Sequence, residues 1–147
     1  MSASNAFETA ILSLIYQNAN AANIGDATGL RGSTVAGSFY VSLHTADPGE
    51  AGTQATSETA YTGYARLAVA RSGAGWTVAG NTVSNAAALT FGVCTAAPGA
   101  AVTHFGVGSD AAAAGNLFFS GALGASYTVA VSNAPNAAIG AITNVAD

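Results

Sequence analysis

The sequence predicts an all-β protein: an antiparallel two-sheet sandwich of jelly-roll or Greek-key type, preceded by a short N-terminal α-helix. Three observations support this prediction. Short runs alternate between apolar and polar residues, as half-buried strands do. Glycine-rich breaks separate these runs at regular intervals, with no helical pattern between them, which favours antiparallel pairing. Helical periodicity is confined to the first twenty residues or so.

The N-terminal segment carries the pattern of one amphipathic helix over residues 1–20. Asn5-Ala6-Phe7-Glu8 fits a capping box, with Asn5 as the N-cap and Glu8 reaching back from the third helical position. Four apolar residues then fall on one face at helical spacing: Phe7, Ile11, Leu14 and Ile15. Asn18 and Asn20 end the helix, and residues 21–37 are predicted to be a flexible linker of small residues.

Residues 38–147 are predicted to form the sandwich. Phe39, Val41 and Leu43 alternate with polar neighbours, the period of a strand with one buried face. We predict eight strands, at Ser38–His44, Tyr61–Arg71, Gly75–Val78, Thr82–Ser84, Ala87–Val93, Val102–Gly108, Leu117–Ala122 and Tyr127–Val131, with a possible ninth at Ala138–Thr143. A chain of 147 residues suits one domain, so we predict a single domain over residues 1–147.

The charge inventory excludes two classes of partner. The chain has no lysine, and its arginines are Arg31, Arg66 and Arg71. Nucleic-acid binding needs several cations to neutralise phosphates, and an anionic membrane surface needs them too, so we expect neither partner. Between Ser72 and Ala146 the only charged residue is Asp110. Such a surface favours a protein covered by its neighbours in an assembly; the alternative is a neutral domain kept soluble by its net charge of -4.

The cysteine content and the N-terminal sequence further restrict the chemistry and the cellular location expected of the protein. The single cysteine, Cys94, lies in an apolar context and is predicted to be a buried, inert thiol. Met1–Asn20 lacks the basic start of a secretion signal, and no apolar run is long enough for a membrane helix. We therefore expect the protein to be made in the cytoplasm without being secreted.

Residues that could carry chemistry are few. His44 and His104 lie on different predicted strands, and a shared zinc site would need a further ligand such as Asp47 or Glu50. Those two carboxylates occur in one turn with no aromatic groove predicted beside them, so a solvated turn is favoured over a glycosidase pair. Calcium binding that also used Glu58 lacks the required spacing. We expect no enzymatic activity, no metal, no cofactor and no small-molecule ligand.

Two further groups of residues, the aromatic residues and the arginines, each allow two interpretations. Most aromatic residues are predicted to be core anchors, while Trp76, Tyr61 and Tyr64 could instead form a sugar-stacking platform. Arg66 and Arg71 lie five residues apart on one predicted strand. Each could bind a partner molecule at an interface or pair with a carboxylate of its own chain.

Four segments carry a family resemblance. They are SLHTADPGEAGTQ followed by YTGYAR, then GWTVAGNTVSNAAALTF at Gly75–Phe91 and THFGVG at Thr103–Gly108. These segments resemble a family of small tailed-phage virion proteins, whose members are described as head decoration (cement) proteins or as tail-fibre proteins. The resemblance covers half to two thirds of the chain. It implies a bacteriophage structural protein that is made in the cytoplasm of the bacterial host and located in the virion.

From the resemblance and the composition we expect a capsid decoration protein on the outer capsid surface, with the major capsid protein and copies of itself as partners. The alternative is a receptor- or glycan-binding module of a tail fibre or tail tip, and a small hydrolase is a remote third hypothesis. Tail fibres usually carry shaft repeats, which this chain lacks, and this favours decoration. The candidate interface residues are Phe7, Ile11, Leu14, Ile15, Asp47, Glu50, Arg66 and Arg71.

Overall fold

The structure is a computed structural model that describes residues 2–146. It contains one helix, α1 (Asn5–Gln17), and nine strands. The strands are β1 (Ser38–His44), β2 (Leu67–Ala70), β3 (Trp76–Ala79), β4 (Thr82–Asn85), β5 (Leu89–Thr90), β6 (Val102–Gly108), β7 (Leu117–Tyr127), β8 (Asn136–Ala137) and β9 (Thr143–Val145). The registered strand pairs β1–β6, β3–β4, β4–β9 and β6–β7 are all antiparallel, so the predicted all-β class with one N-terminal helix is confirmed.

The strands form three sheets. A four-stranded sheet has the order β2-β1-β6-β7, a three-stranded sheet has the order β3-β4-β9, and β5 pairs with β8. The chain divides into two compact units. The first contains Met1–Ser38, Val69–Leu89 and Ala137–Asp147, and the second contains Phe39–Ala68 and Thr90–Asn136. A single domain over the whole chain stays a prediction.

In the first unit, α1 packs against β3 and β4. Its buried residues are Glu8, Leu12 and Tyr16, at a spacing of four. The rings of Tyr16 and Trp76 meet edge to face with centroids 4.9 Å apart, and Asn144 Nδ2 donates to the Tyr16 hydroxyl at 3.1 Å. Burial raises the pKa of Tyr16, which keeps its hydroxyl protonated.

The predicted helix face was wrong by one residue. Phe7 is 50 % exposed and Ile11 is only partly buried, because the buried stripe is rotated by about 100° from the predicted one. The predicted N-cap was also wrong by one residue. Ser4, not Asn5, is the N-cap, and its side chain accepts a hydrogen bond from the Phe7 amide.

The segment predicted to be a flexible linker folds back on the end of the helix. Asn18 ends α1 in the left-handed conformation, and its side chain exchanges hydrogen bonds with the Ser33 backbone. Ala21 and Leu30 form an antiparallel bridge, and Ala21 is 1 % exposed. These contacts are why the segment has a defined conformation despite its small residues.

In the second unit, β1 and β6 form the centre of the four-stranded sheet, with Val41 opposite Val107. Both strands have the predicted bounds. Cys94 is fully buried, as predicted. The strand predicted at Tyr61–Arg71 is confirmed only over Leu67–Ala70. The strand predicted at Tyr127–Val131 was wrong: β7 ends at Tyr127, and the residues after it up to Val131 are not in a strand.

Two other strand predictions also differ from the structure. The strand predicted at Ala87–Val93 is only the two-residue β5, and the predicted ninth strand at Ala138–Thr143 is replaced by β8 and β9 on either side of it. A tight hairpin joins β3 and β4, with Gly80 at a φ of 62°.

Candidate functional site

A surface groove lies in the second unit between the loop after β1 and the first residues of β7. It has a volume of about 390 Å³ and is open to solvent. Its lining combines two carboxylates with aromatic, aliphatic and hydroxyl groups: Asp47, Gly49, Glu50, Leu117, Phe118, Phe119 and Ser120. Sequence reasoning predicted no aromatic groove beside Asp47 and Glu50, and this prediction was wrong.

The carboxylate wall is built by a short turn. Asp47 Oδ1 accepts a hydrogen bond from the Gly49 amide at 2.9 Å, and Gly49 has a φ of 69°, which a residue with a side chain adopts only with strain. The second carboxylate oxygen of Asp47 has no hydrogen-bond partner among residues 2–146. The Glu50 carboxylate likewise makes no hydrogen bond or ion pair with the described residues. Both groups are therefore available to a ligand.

The aromatic wall is built by a bulge in β7. Val107 pairs with Phe119 and Gly108 pairs with Leu117, so Phe118 is an extra residue in the ladder. Its ring meets Phe39 edge to face at a centroid distance of 5.6 Å, yet 47 % of the residue remains exposed. Most aromatic residues were predicted to be core anchors, but Phe118, which lies at this bulge, is half exposed.

Gln54 fixes the loop that carries the carboxylates. The residue is fully buried, its Nε2 donates to the Tyr40 carbonyl at 3.0 Å, and its Oε1 accepts from the Asp110 amide at 2.9 Å. A Cβ on Gly108 or Gly115 would lie within 2.5 Å of the Gln54 side chain, so both glycines are needed for this fit. Sequence reasoning missed Gln54 because no local pattern marks a buried amide.

Arg66 and Glu58 fix the segment before β7. Nε and Nη2 of Arg66 each donate to one Glu58 oxygen at 2.7 Å. Nη1 and Nη2 also donate to the carbonyls of Asp110 and Ala113. The Glu58 carboxylate raises the pKa of the Arg66 guanidinium. Of the two alternatives left open by the sequence, the structure shows pairing within the chain.

Arg71 has a different role in the first unit. Its guanidinium donates to the carbonyls of Ile15, Leu14 and Ala36 at 2.7–3.1 Å. The first two are carbonyls at the C-terminal end of α1, where a positive charge is favourable. Arg71 thus caps a helix that has no basic residue in its own last turn. The interface roles predicted for Arg66 and Arg71 stay predictions.

The two histidines face each other across β1 and β6, a juxtaposition that sequence reasoning missed. His44 Nδ1 lies 2.8 Å from the Thr56 carbonyl, which can only accept, so Nδ1 carries the proton and Nε2 accepts from Ser42 Oγ at 2.8 Å. Ser42 and His44 are both fully buried, out of reach of any substrate. Desolvation lowers the pKa of His44.

The sugar-stacking platform considered for Trp76, Tyr61 and Tyr64 does not form. Trp76 is 1 % exposed and Tyr61 is 2 % exposed, so both are core residues. The Tyr64 hydroxyl donates to Glu58 and accepts from the Leu43 amide, and burial raises its pKa. No group of three potential metal ligands is present among residues 2–146.

A family model described as podophage GP4 fiber I protein gp80 matches residues 2–144, nearly the full length of the chain. The curated proteins contain no match to this sequence. No helix within the described part of the chain is long and apolar enough to cross a membrane.

Proposed function

Because the chain belongs to the podophage GP4 fiber I protein gp80 family, it is a structural protein of a tailed phage, and we propose that it is a fibre component that assembles with copies of itself. The family description supports a place in a fibre. The assembly role is supported by the surface of the chain.

The edge strand β7 supports the assembly role. β7 has eleven residues, lies at the edge of the four-stranded sheet, and contains no fully buried residue. It has no charged residue and no proline. Proteins usually protect a long exposed edge with charges or prolines, because its unpaired backbone groups can pair with another strand. An edge without that protection is suited to pairing with a neighbouring chain.

A second copy of this chain is the partner that best fits the edge. The part of β7 beyond the groove, Gly121–Tyr127, contains two glycines and two alanines, so another backbone can approach it closely. Since this part carries no charge, two copies of a chain with net charge -4 meet there without direct like-charge contact.

Capsid decoration is the second candidate. The same uncharged edge could attach to the major capsid protein on the outer surface of the head, and the family resemblance of the sequence includes decoration proteins. A fibre component is present in a few to tens of copies per virion, whereas a decoration protein is present in hundreds. The copy number therefore separates the two candidates.

Sedimentation velocity tests the assembly role. Ala122→Lys combined with Ala125→Lys places two cations on the exposed edge and should shift an oligomeric wild-type chain to the monomer. Ala111→Lys combined with Ala112→Lys adds the same charge to the exposed loop before β7 and should leave the oligomer intact. A wild-type chain that stays monomeric, or an edge variant that assembles normally, would contradict the proposal.

A further inference from the structure

We propose that the groove between the Asp47–Glu50 turn and β7 binds a carbohydrate that carries no acidic group. The proposal rests on the fibre assignment for its biological role, but it is argued from the groove itself.

The lining has the two kinds of surface that a sugar ring needs. A pyranose presents apolar C–H groups on its faces and hydroxyls around its rim. Phe118 lines the groove and is 47 % exposed, so it offers aromatic surface for the C–H groups. The free oxygens of Asp47 and Glu50 can accept hydrogen bonds from hydroxyls, and a bond to a charged acceptor is stronger than one between neutral groups. Ser120 adds a hydroxyl that can donate or accept.

Both walls of the groove are also held in place by hydrogen bonds within the protein, without a ligand. Gln54 ties the loop after β1 to Tyr40 and Asp110, and Arg66 ties Glu58 to the Asp110 and Ala113 carbonyls. Both walls therefore end in segments anchored by buried hydrogen bonds. Such preorganisation reduces the entropy lost on binding.

The charge of the second unit excludes an acidic sugar. The unit contains four carboxylates, at Asp47, Glu50, Glu58 and Asp110, and its only basic residue apart from histidine is Arg66. The side chain of Arg66 is 3 % exposed and already bonded to Glu58, so it cannot receive an acidic ligand. A uronic acid in the groove would meet two like charges with no compensating cation.

NMR titration of the purified, isotope-labelled chain tests the proposal. The uncharged probes are maltohexaose, cellohexaose and chitin hexaose, and the acidic probe is polygalacturonate, each added up to about 10 mM because single-site sugar binding is weak. At least one uncharged probe should shift the amide signals of Gly49, Glu50 and Ser120, while Thr77 in the first unit stays unchanged. Polygalacturonate should cause no shift.

Variants show whether the groove is responsible. Phe118→Leu keeps an apolar contact with Phe39 but removes the aromatic face, and Asp47→Asn keeps an acceptor for the Gly49 amide but removes the charge. Each should weaken binding roughly tenfold. Tyr127→Ala, which removes an exposed aromatic residue of β7 outside the groove, should not change it.

Three results would overturn the proposal: no uncharged probe binds, polygalacturonate binds equally well, or Phe118→Leu and Asp47→Asn bind like the wild type. None of these results bears on the fibre assignment, because the titration uses the isolated chain and does not depend on where the protein lies in the virion.

Discussion

The guanidinium of Arg66 and the carboxylate of Glu58 form a two-point ion pair, with both N–O distances at 2.7 Å. Their side chains are only 3 % and 17 % exposed. Arg66 also holds the carbonyls of two residues in the segment before β7. This single side chain therefore links Glu58, in the loop after β1, to the segment that precedes β7, the strand that forms the other wall of the groove.

We expect Arg66→Ala to lower the free energy of unfolding by about 3–5 kcal/mol, because it leaves the Glu58 carboxylate without its partner. Urea unfolding at neutral pH measures the effect. Arg31→Ala is the control, since Arg31 is exposed, and it should change the free energy by no more than about 0.5 kcal/mol. Equal values for the two variants would show that the ion pair does not stabilise the fold.

His44 should make stability depend on pH. Burial lowers its pKa in the folded state below 6.5, while the unfolded chain titrates at the ordinary value. Between the two values the unfolded state binds more protons, so the stability present above about pH 6.5 is lost as the pH falls. The neighbouring charges act in both directions: Glu58 favours the protonated ring, whereas Arg66 and His104 oppose it.

Urea unfolding at several pH values between about 5 and 8 measures this loss, which can reach about 1.4 kcal/mol per pH unit. His44→Gln removes the titrating ring and should flatten this part of the profile, whereas His104→Gln should retain it. A wild-type profile identical to that of His44→Gln would show that the buried ring does not couple folding to protons.

Residues on two different faces of α1 allow the contributions of the helix to folding and to assembly to be tested separately. Leu12 is 3 % exposed, so Leu12→Ala should lower the free energy of unfolding by about 2–5 kcal/mol. Ile11 and Leu14 lie on the predicted interface face and are partly buried. Ile11→Asp combined with Leu14→Asp should weaken self-association more than it lowers the melting temperature. Thermal melts and sedimentation of both variants test this. Normal assembly by the double variant would exclude this helix face as an interface.

Local sequence patterns correctly predicted the strands that pair in regular antiparallel ladders. β1 and β6 have the predicted bounds because their alternation is set by one buried face. The segment Tyr61–Arg66 was wrongly predicted as strand because it contains a turn, in which the Tyr64 amide donates to the Tyr61 carbonyl and Gly63 has a φ of 102°. The glycine that makes this turn lies inside an otherwise strand-like run, so the apolar and aromatic pattern alone predicted a strand.

The groove could be predicted only in part. The Asp47 turn is visible in the sequence through its proline and glycine. The exposure of Phe118 is not, because it follows from a one-residue shift in the pairing of β6 and β7. The buried face of α1 was missed for a related reason: it includes Glu8, and a charged residue does not mark a buried stripe.

Counting and locating the protein in purified virions tests the fibre assignment most directly. Quantitative mass spectrometry gives the copies per particle, and immunogold labelling with an antibody against this chain gives their position. We predict a few to tens of copies, with gold confined to the fibres. Hundreds of copies with gold distributed over the head would contradict the account and establish capsid decoration instead.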